Sequence, residues 1–358
     1  MSRRVPGLPG VLAGATAIAL LAVSCASGQE RSSPGNTATP ANTSVAVNTK
    51  SSANKWTLPR TADGQPDLEG IWSNATLTPL ERPPELAGKQ FLTEKEAAEF
   101  EKQVLQRENR DRREADPEAD FRAYNEAWYE RGTEVVASRR TSLILDPPDG
   151  LVPPRTPEGQ KREDEAICGT NVHGRCKEPG FDSWEERGLW ERCITRGLPY
   201  LPGPYNNNYQ IFQTPGYVAI YSEMIHDARI IPLDGRPHIA KNIHQWLGDS
   251  RGHWEGNTLV VDTTNFSDRA SFKGSGSTLH LIERFTRTGA DTLLYEFTVD
   301  DPATFTRKWT AAVPMTRAPG PIYEYACHEG NYALPAILAG ARAEEKAAAE
   351  RAAKSASK

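Results

Sequence analysis

The chain lacks an excess of positive charge, and it lacks any apolar run long enough to stay in a bilayer. Its 42 lysines and arginines face 47 aspartates and glutamates, which leaves a net charge of −5. Because nucleic-acid binding needs a strong basic surface, this balance argues against a nucleic-acid partner. The apolar stretch 10–23 is too short for a permanent transmembrane helix, and we expect no other segment to cross a membrane.

Several sequence signatures of chemistry are also missing. The chain has no Gly-x-Ser-x-Gly elbow, no phosphate loop and no dinucleotide fingerprint. It has no Cys-x-x-Cys pair, and its later histidines do not show the spacing of a metal motif, so we expect neither a metal nor a cofactor. These histidines are His238, His244, His253, His280 and His328. No repeat of fixed period occurs, which argues against a propeller.

The N-terminus has the pattern of an export signal. Arg3 and Arg4 precede the apolar run, which ends in small residues just before Cys25. This ending resembles the lipobox of bacterial lipoproteins, although Ala22 stands where a leucine is usual. We therefore predict a signal peptide over 1–25 and an extracytoplasmic protein, in the periplasm or outer membrane. Its membrane contact would be only a lipid anchor at Cys25, and ordinary cleavage of a soluble secreted protein is the alternative.

Cysteine usage supports export independently. Without Cys25 the chain keeps an even number of cysteines, namely Cys168, Cys176, Cys193 and Cys327. In an oxidising compartment this number favours two disulfides, and sequence alone leaves three pairings open.

Composition divides the chain into a tether, one domain and a tail. Residues 26–55 are small and polar, which predicts a disordered tether, and 343–358 reads as a charged, solvated helical tail. Between them we predict a single domain over 56–342. Within it, 56–140 is an arm followed by helices, 141–207 a first strand and cysteine-rich loops, and 208–330 a β-meander.

Two helices are predicted near the start of this domain. Thr93 and Glu96 form a capping box, which predicts a helix from about 94 to 114. Phe121, Tyr124 and Trp128 lie on one stripe of a second, shorter helix that would end at Gly132. The proline-, glycine- and cysteine-rich segment 151–207 is expected to cover one end of the domain as an irregular, disulfide-stapled region.

The meander consists of short apolar segments separated by turn residues. They predict an antiparallel up-and-down barrel or a strongly curved sheet, with a β-sandwich as the alternative. The predicted strands are 209–213, 217–223, 228–233, 245–248, 258–263, 279–287, 292–299, 305–313 and 322–327. The fold class is therefore mainly β, with an N-terminal helical segment.

Strand alternation places one carboxylate among apolar side chains. Glu283 shares a face with Leu281 and Phe285, and the neighbouring strand carries Tyr295 and Phe297 on one face. A carboxylate buried there must be paired with a cation or stay protonated. Glu283 is therefore either a candidate acid or base, or half of a structural salt bridge to an arginine across the sheet.

A second cluster combines acids, an imidazole and a guanidinium at one strand junction. Glu223, His226, Asp227 and Arg229 fall within seven positions. Asp227 and Arg229 share a face and could pair, and His226 titrates near neutral pH. A polar turn without function is the alternative. Tyr221, Glu223, Tyr295 and Trp254 are the candidate ligand contacts, although tryptophans in β cores usually serve packing.

Four segments resemble a family of secreted bacterial proteins that is frequent in Acidobacteria and some Proteobacteria. They are TADGQPDLEGIW within 60–72, MIHDARIIPLDG over 224–235, GDSRGHWEGNTLVV over 248–261 and YACHEGNY over 325–332. The resemblance covers about residues 56–342 and implies secretion. It implies no particular activity and no catalytic residues.

These observations favour a small-molecule binding protein. An apolar barrel interior would supply affinity, and a few inward polar groups would orient a small, partly apolar ligand. One alternative is a metal-independent hydrolase or lyase that uses His226 or Glu283 as acid or base in the same cavity, with Arg229 stabilising negative charge. Another is a structural envelope protein, which predicts a barrel filled by its own side chains.

Overall fold

The computed structural model describes residues 56–111, 125–166, 180–270 and 272–356. These residues belong to one unit, Ser51–Lys358. The predicted signal peptide, the lipid anchor and the whole tether lie outside the described residues. So do four side chains of the predictions above, Phe121, Tyr124, Cys168 and Cys176. Across the described ranges, no helix has both the length and the apolar character needed to span a bilayer.

Nine strands form a nearly closed antiparallel barrel, and a tenth strand pairs beside it. In chain order they are β1 Gly70–Ser73, β2 Ile144–Asp146, β3 Asn208–Thr214, β4 Tyr217–Ser222, β5 Ala228–Pro232, β6 Asp249–Glu255, β7 Thr258–Thr264, β8 His280–Arg287, β9 Thr292–Asp300 and β10 Trp309–Arg317. The helices are α1 Glu94–Arg107, α2 Pro157–Glu165 and α3 Ala333–Ala356. The barrel confirms the predicted fold class and excludes the β-sandwich.

The strand order is β5-β4-β3-β1-β10-β9-β8-β7-β6, with β2 attached to β10. Each neighbouring pair on this path is antiparallel, so the two edge strands, β5 and β6, run in the same direction. The edges meet by close packing at Gly252, where an added Cβ would lie 2.6 Å from Leu233 and 2.8 Å from Ile231. Glycine is therefore required where these two strands approach each other.

The alternation predicted for β8 and β9 is confirmed. Leu281, Glu283 and Phe285 are at most 1 % exposed, and so are Tyr295 and Phe297 on the paired strand. Inward side chains of β3, β4, β7 and β10 complete the same core cluster. Because aromatic rings from neighbouring strands contact one another there, the interior is a packed core, as small barrels permit.

The strand prediction is wrong for two segments of the meander, and a third, 305–313, is shifted by four residues, since β10 runs over Trp309–Arg317. The segment 245–248 is not a strand, and β6 forms instead over Asp249–Glu255, whose glycine, serine and aspartate residues have weak β-propensity. Seven consecutive residue pairs with β7 and the close contact with β5 override that propensity. The segment 322–327 is not a strand either, because β10 already ends at Arg317 and the chain leaves the sheet.

The helices depart from the predicted bounds. The capping box of α1 is confirmed, since Thr93 and Glu96 bond each other's backbone, but α1 already ends at Arg107. In the described part of the predicted second helix, only a 3₁₀ turn over Glu126–Trp128 is present. Helix α2 lies in the segment predicted to be irregular, and α3 begins ten residues before the predicted tail.

The segment 184–205 covers one end of the barrel. Tyr200 reaches the core, where its ring contacts Tyr209 at 4.5 Å and Tyr295 at 5.9 Å between centroids. Cys193 forms a disulfide with Cys327, which ties this segment to the chain that follows β10. The predicted stapled end is thus confirmed in its described part, and the disulfide indicates an oxidising, extracytoplasmic environment.

Candidate ligand site

Glu283 forms a buried ion pair inside the barrel. The Arg229 guanidinium donates two hydrogen bonds to its carboxylate, at 2.7 Å and 3.2 Å, and both side chains are almost completely buried. The Tyr295 hydroxyl donates to the same carboxylate at 2.9 Å and accepts from the Tyr200 backbone N–H at 3.2 Å. The Arg229 guanidinium also lies 5.1 Å from the Tyr200 ring centre. This network satisfies both carboxylate oxygens of Glu283.

The electrostatics of this network favour a structural role. Burial alone would lower the pKa of Arg229, but the adjacent Glu283 carboxylate raises it above its usual value. Burial, reinforced by Glu283, raises the pKa of the Tyr295 hydroxyl well above its usual value, so this hydroxyl acts as a neutral donor. Glu283 and Tyr295 are each 0 % exposed. No ligand can reach them without displacing the core, which favours the salt bridge over an acid or base role.

His226 lies on a strained turn between β4 and β5. Ile225 and His226 both have a positive φ, at 64° and 48°. Such backbone costs about 1 to 3 kcal/mol per residue and is often found at functional sites. The His226 Nδ1 donates to the Tyr325 carbonyl at 2.9 Å, and its ring centre is 6.1 Å from that of His328. The side chain therefore faces the segment after β10, whereas Glu283 faces the barrel interior.

Asp227 does not pair with Arg229, and that prediction is wrong because Arg229 pairs with Glu283. Asp227 instead accepts a bond of 2.7 Å from the Thr195 hydroxyl and one of 3.4 Å from the Arg196 backbone N–H. Burial raises the pKa of Asp227, which lines a small cavity of about 40 Å³ together with Tyr209 and other residues. Such a volume is sufficient for water and too small for a ligand.

Glu223 is a buried carboxylate held by amides. It accepts bonds from the side chain and the backbone N–H of Asn208, at 2.8 Å and 3.3 Å. Burial raises its pKa, and these bonds from Asn208 oppose the rise. Tyr221, the neighbouring candidate, is partly buried, and burial with the nearby Glu324 and Glu223 carboxylates raises its pKa. These groups lie at the same barrel end as His226.

Trp254 does not join that barrel end. It pairs with Leu259 beside the hairpin between β6 and β7, and it packs partly buried against the core. Its indole N–H is buried and has no acceptor among the described residues. The structure therefore brings together only part of the predicted set of ligand contacts.

A large cleft opens beside the covered barrel end. Its volume is about 910 Å³, and its walls come from α1, residues 76–85, residues 129–131 and residues 201–204. Several prolines and apolar side chains of these segments line it, among them Leu77, Pro79, Phe100, Leu201 and Pro202. The cleft is defined here as the ligand cleft.

Arg196 separates the ligand cleft from the small inner cavity, because it lines both. Its Nη1 is buried without a hydrogen-bond acceptor in the described part of the chain, where no carboxylate lies within ion-pair distance of its guanidinium. The guanidinium instead stacks 4.1 Å from the centre of the Trp190 ring. Burial lowers the pKa of Arg196, and the neighbouring tyrosines oppose this shift.

Arg196 begins a row of neighbouring guanidinium groups and aromatic rings in tilted and edge-to-face contact, called here the arginine–aromatic row. Trp190 lies 6.4 Å from Tyr205, which lies 6.3 Å from Tyr129, and the Arg131 guanidinium is 4.4 Å from the Tyr129 ring. Arg131 is neutralised by Glu126 at 3.1 Å, unlike Arg196. The row presents planar surfaces along the ligand cleft and one uncompensated positive charge.

The sequence analysis missed Arg196, Trp190 and Tyr205. They lie in the proline- and glycine-rich segment that was predicted to be an irregular cover, where no strand or helix period indicates which side chains face inward. The available signal was the unusual density of tryptophan, tyrosine and arginine in a loop, since such residues often form binding sites.

A separate network of histidines and aspartates lies on the outer wall of the barrel. His238 contacts Asp249 at 2.8 Å and Asp262 at 2.9 Å through its two ring nitrogens, and His280 contacts Asp262 at 2.6 Å. It joins the segment before β6 to β7 and β8. Throughout the described ranges, no group of three His, Cys, Asp or Glu side chains is placed to hold a metal ion.

This network predicts a pH-dependent contribution to stability. The hydrogen bond between His280 and Asp262 raises the pKa of His280 above its usual 6.5. The same bond lowers the pKa of Asp262 below its usual 3.8. The His280 contribution is present below pH 6.5 and is lost as the pH rises through the raised value, and the Asp262 contribution is lost in acid. We expect His280→Asn to destabilise the protein more at pH 5.5 than at pH 9.

Urea unfolding of the wild type and this variant at both pH values measures the effect. Because the comparison is between variant and wild type, other titrating carboxylates cancel. A destabilisation that does not change with pH would contradict the assignment of His280 to this network.

Comparison of the chain with protein-family models, curated proteins and solved structures gives no match. The resemblance to a secreted bacterial family stays a prediction, and the function is argued from the site alone.

Proposed function

We propose that the protein is an exported barrel that binds a small, partly apolar ligand in the ligand cleft. The observation that carries this proposal is a cleft of about 910 Å³ that combines apolar surface with the partly buried guanidinium of Arg196, whose buried Nη1 has no acceptor in the described chain. Small-molecule sites typically have volumes of about 300 to 1,000 Å³, apolar walls and a few placed polar groups. The cleft has all three properties.

The proposal moves the ligand from the barrel interior to its end. The interior positions are filled by aromatic side chains and the Arg229–Glu283 pair, so binding there would require expelling packed groups. Protein interiors resist such displacement because they are close-packed. The ligand cleft offers the same chemical combination, apolar walls with a charged group, without that cost.

The proposal also places the barrel outside the cytoplasm, anchored through a lipid at Cys25. The disulfide between Cys193 and Cys327 supports the oxidising compartment. The small residues before Cys25 support the anchor. An extracytoplasmic binding protein held near a membrane by a tether would capture a small molecule from its surroundings.

Binding of a neutral fluorescent probe, N-phenyl-1-naphthylamine, tests the proposal. We expect saturable fluorescence enhancement with the wild type. Gly203→Leu should weaken it about tenfold or more, because the new side chain would extend into the cleft. Gly203 tolerates the change locally: an added Cβ meets only ordinary contacts, the nearest at 3.6 Å from Asn207 and at 3.8 Å from Arg196.

The matched control is Gly340→Leu on α3. An added Cβ there meets no atom within 4 Å, and the position lies outside the cleft. The control should bind the probe like the wild type. Equal binding by all three proteins, or no saturable binding to the wild type, would contradict a ligand site in the cleft.

The packed interior equally fits the alternative of a structural envelope protein. The same probe titration tests this alternative, since a purely structural protein would bind no probe in the cleft. The enzyme alternative is less favoured. It requires His226 or Glu283 to act in an open barrel cavity, whereas His226 faces Tyr325 and Glu283 is sealed in the packed core.

A further inference from the structure

We infer that the ligand of the cleft is a flat, largely apolar molecule with one anionic group, such as an aromatic carboxylate. Arg196 binds the anionic group. This inference rests on the proposed function and adds the class of ligand. Three observations carry it: Arg196 has no carboxylate partner in the described chain, the arginine–aromatic row lies beside it, and arginines outnumber glutamates in the lining of the cleft.

The missing partner is the first step. Each deeply buried arginine of the described chain has side-chain or backbone acceptors: Arg229, Arg187 and Arg287 pair with carboxylates, and Arg82 donates to the Thr141 hydroxyl and to backbone carbonyls. Arg196 is partly buried, and a partly desolvated charge whose buried Nη1 has no acceptor costs free energy. A bound anion would supply the missing acceptor. Two parallel N–H donors of a guanidinium match the two oxygens of a carboxylate.

The neighbours of Arg196 hold it ready for an anion. Its face is stacked on Trp190, which fixes the plane of the guanidinium. The groups that act on it electrostatically are Tyr209, Tyr205 and Tyr325, and none of them is a carboxylate that would form an ion pair with it. The side chain is therefore oriented by aromatic packing, and its charge stays available to a ligand.

The charge balance of the cleft points the same way. Four arginines line it, Arg107, Arg110, Arg131 and Arg196, against two glutamates, Glu85 and Glu108. Glu108 contacts Arg107 and Arg131, at 3.3 Å and 4.0 Å. Arg110 stacks 5.4 Å from Tyr129 and has no carboxylate within ion-pair distance in the described chain. The cleft thus carries net positive charge on apolar, planar walls.

The planar character of the ligand follows from the arginine–aromatic row. Aromatic rings and guanidinium planes favour flat partners, since a flat ring can pack on them with offset or edge-to-face geometry in addition to the apolar contact. Prolines 79, 83, 84, 202 and 204 add rigid apolar surface. A flat carboxylate could place its ring on these surfaces and its charge at Arg196.

A matched pair of probes, 2-naphthoate and its neutral amide 2-naphthamide, tests this inference by calorimetric titration. We expect the wild type to bind the carboxylate about 10- to 100-fold more tightly than the amide, since hydrogen bonds to charged groups are the stronger ones. Arg196→Gln should remove most of this preference and leave the affinity for the amide nearly unchanged. Arg351→Gln, which removes one exposed charge on α3, is the matched control and should keep the preference.

A second readout separates ligand binding from a structural role. Because Arg196 is a partly desolvated charge without a carboxylate partner in the described chain, Arg196→Gln should leave the unfolding midpoint in urea unchanged or raise it. A large fall of that midpoint would show that Arg196 serves stability and would overturn the inference. Arg196→Lys should retain part of the preference, because the charge remains without the forked geometry.

The outcomes distinguish the inference from the proposed function. Equal affinity for carboxylate and amide in the wild type, lowered for both by Gly203→Leu, would overturn the anion and leave the binding cleft in place. Absence of binding of either probe would overturn both. Loss of the preference in Arg196→Gln alone, with Gly203→Leu weakening both probes, is the result that supports the inference.

Discussion

Glu283→Gln is expected to lower the free energy of unfolding by about 3 to 5 kcal/mol, because it leaves the buried Arg229 guanidinium without a counter-charge. Arg229 and Glu283 are 5 % and 0 % exposed, so water cannot replace the lost partner. The Tyr295 hydroxyl would keep an amide oxygen as acceptor, so the loss comes mainly from the charge. Urea unfolding measured by circular dichroism gives the free energy and its denaturant slope.

The double variant Arg229→Met/Glu283→Met is the control for this result. Replacing a buried ion pair by apolar side chains of similar length is often neutral or stabilising, so it should recover most of the lost stability. Unfolding of Glu283→Gln within about 0.5 kcal/mol of the wild type would indicate a solvated, unpaired carboxylate. That result would return Glu283 to the candidate acids and bases.

Removal of the disulfide is expected to cost about 2 to 5 kcal/mol of stability. Cys193 and Cys327 are 134 residues apart, so the bond removes much conformational freedom from the unfolded chain. In the folded protein it attaches the cover of the barrel to the segment after β10. The variant Cys193→Ala/Cys327→Ala measures the effect in urea unfolding.

This variant isolates one bond, whereas a reducing agent would also break the second predicted disulfide, which lies outside the described residues. In the wild type, reduction should lower stability by at least as much as the double substitution. A double variant as stable as the wild type would show that the bond between Cys193 and Cys327 does not constrain the unfolded chain. The predicted contribution of the disulfide would then be wrong.

The barrel could be predicted because period-two alternation carries the information that defines it. Tyr295 and Phe297 alternate with polar residues along β9, and such a strand can bury only one face. The barrel end could not be predicted in the same way, because loops have no period. The position of β6 was missed since its close contact with β5 depends on Gly252, and a glycine in a strand usually indicates interruption.

The candidate site shows the same difference between features that strand alternation predicts and features that it does not. Inward placement of Glu283 follows from alternation, and its pairing with an arginine across the sheet was one of two stated possibilities. That Arg229 pairs with Glu283 and not with Asp227 follows from three-dimensional proximity between β5 and β8, strands that are far apart in the sheet order. Arg196 was not predictable, because its significance lies in what it does not contact.

The position of a bound ligand tests the central claim most directly, and a crystal structure of the protein with 2-naphthoate would show it. We predict electron density for the ring in the ligand cleft, with the carboxylate within about 3 Å of the Arg196 guanidinium. The Arg229–Glu283 pair should be unchanged. Density for the ligand between the strands, with Tyr295 or Glu283 displaced, would contradict the claim that the interior is structural and the cleft is the site.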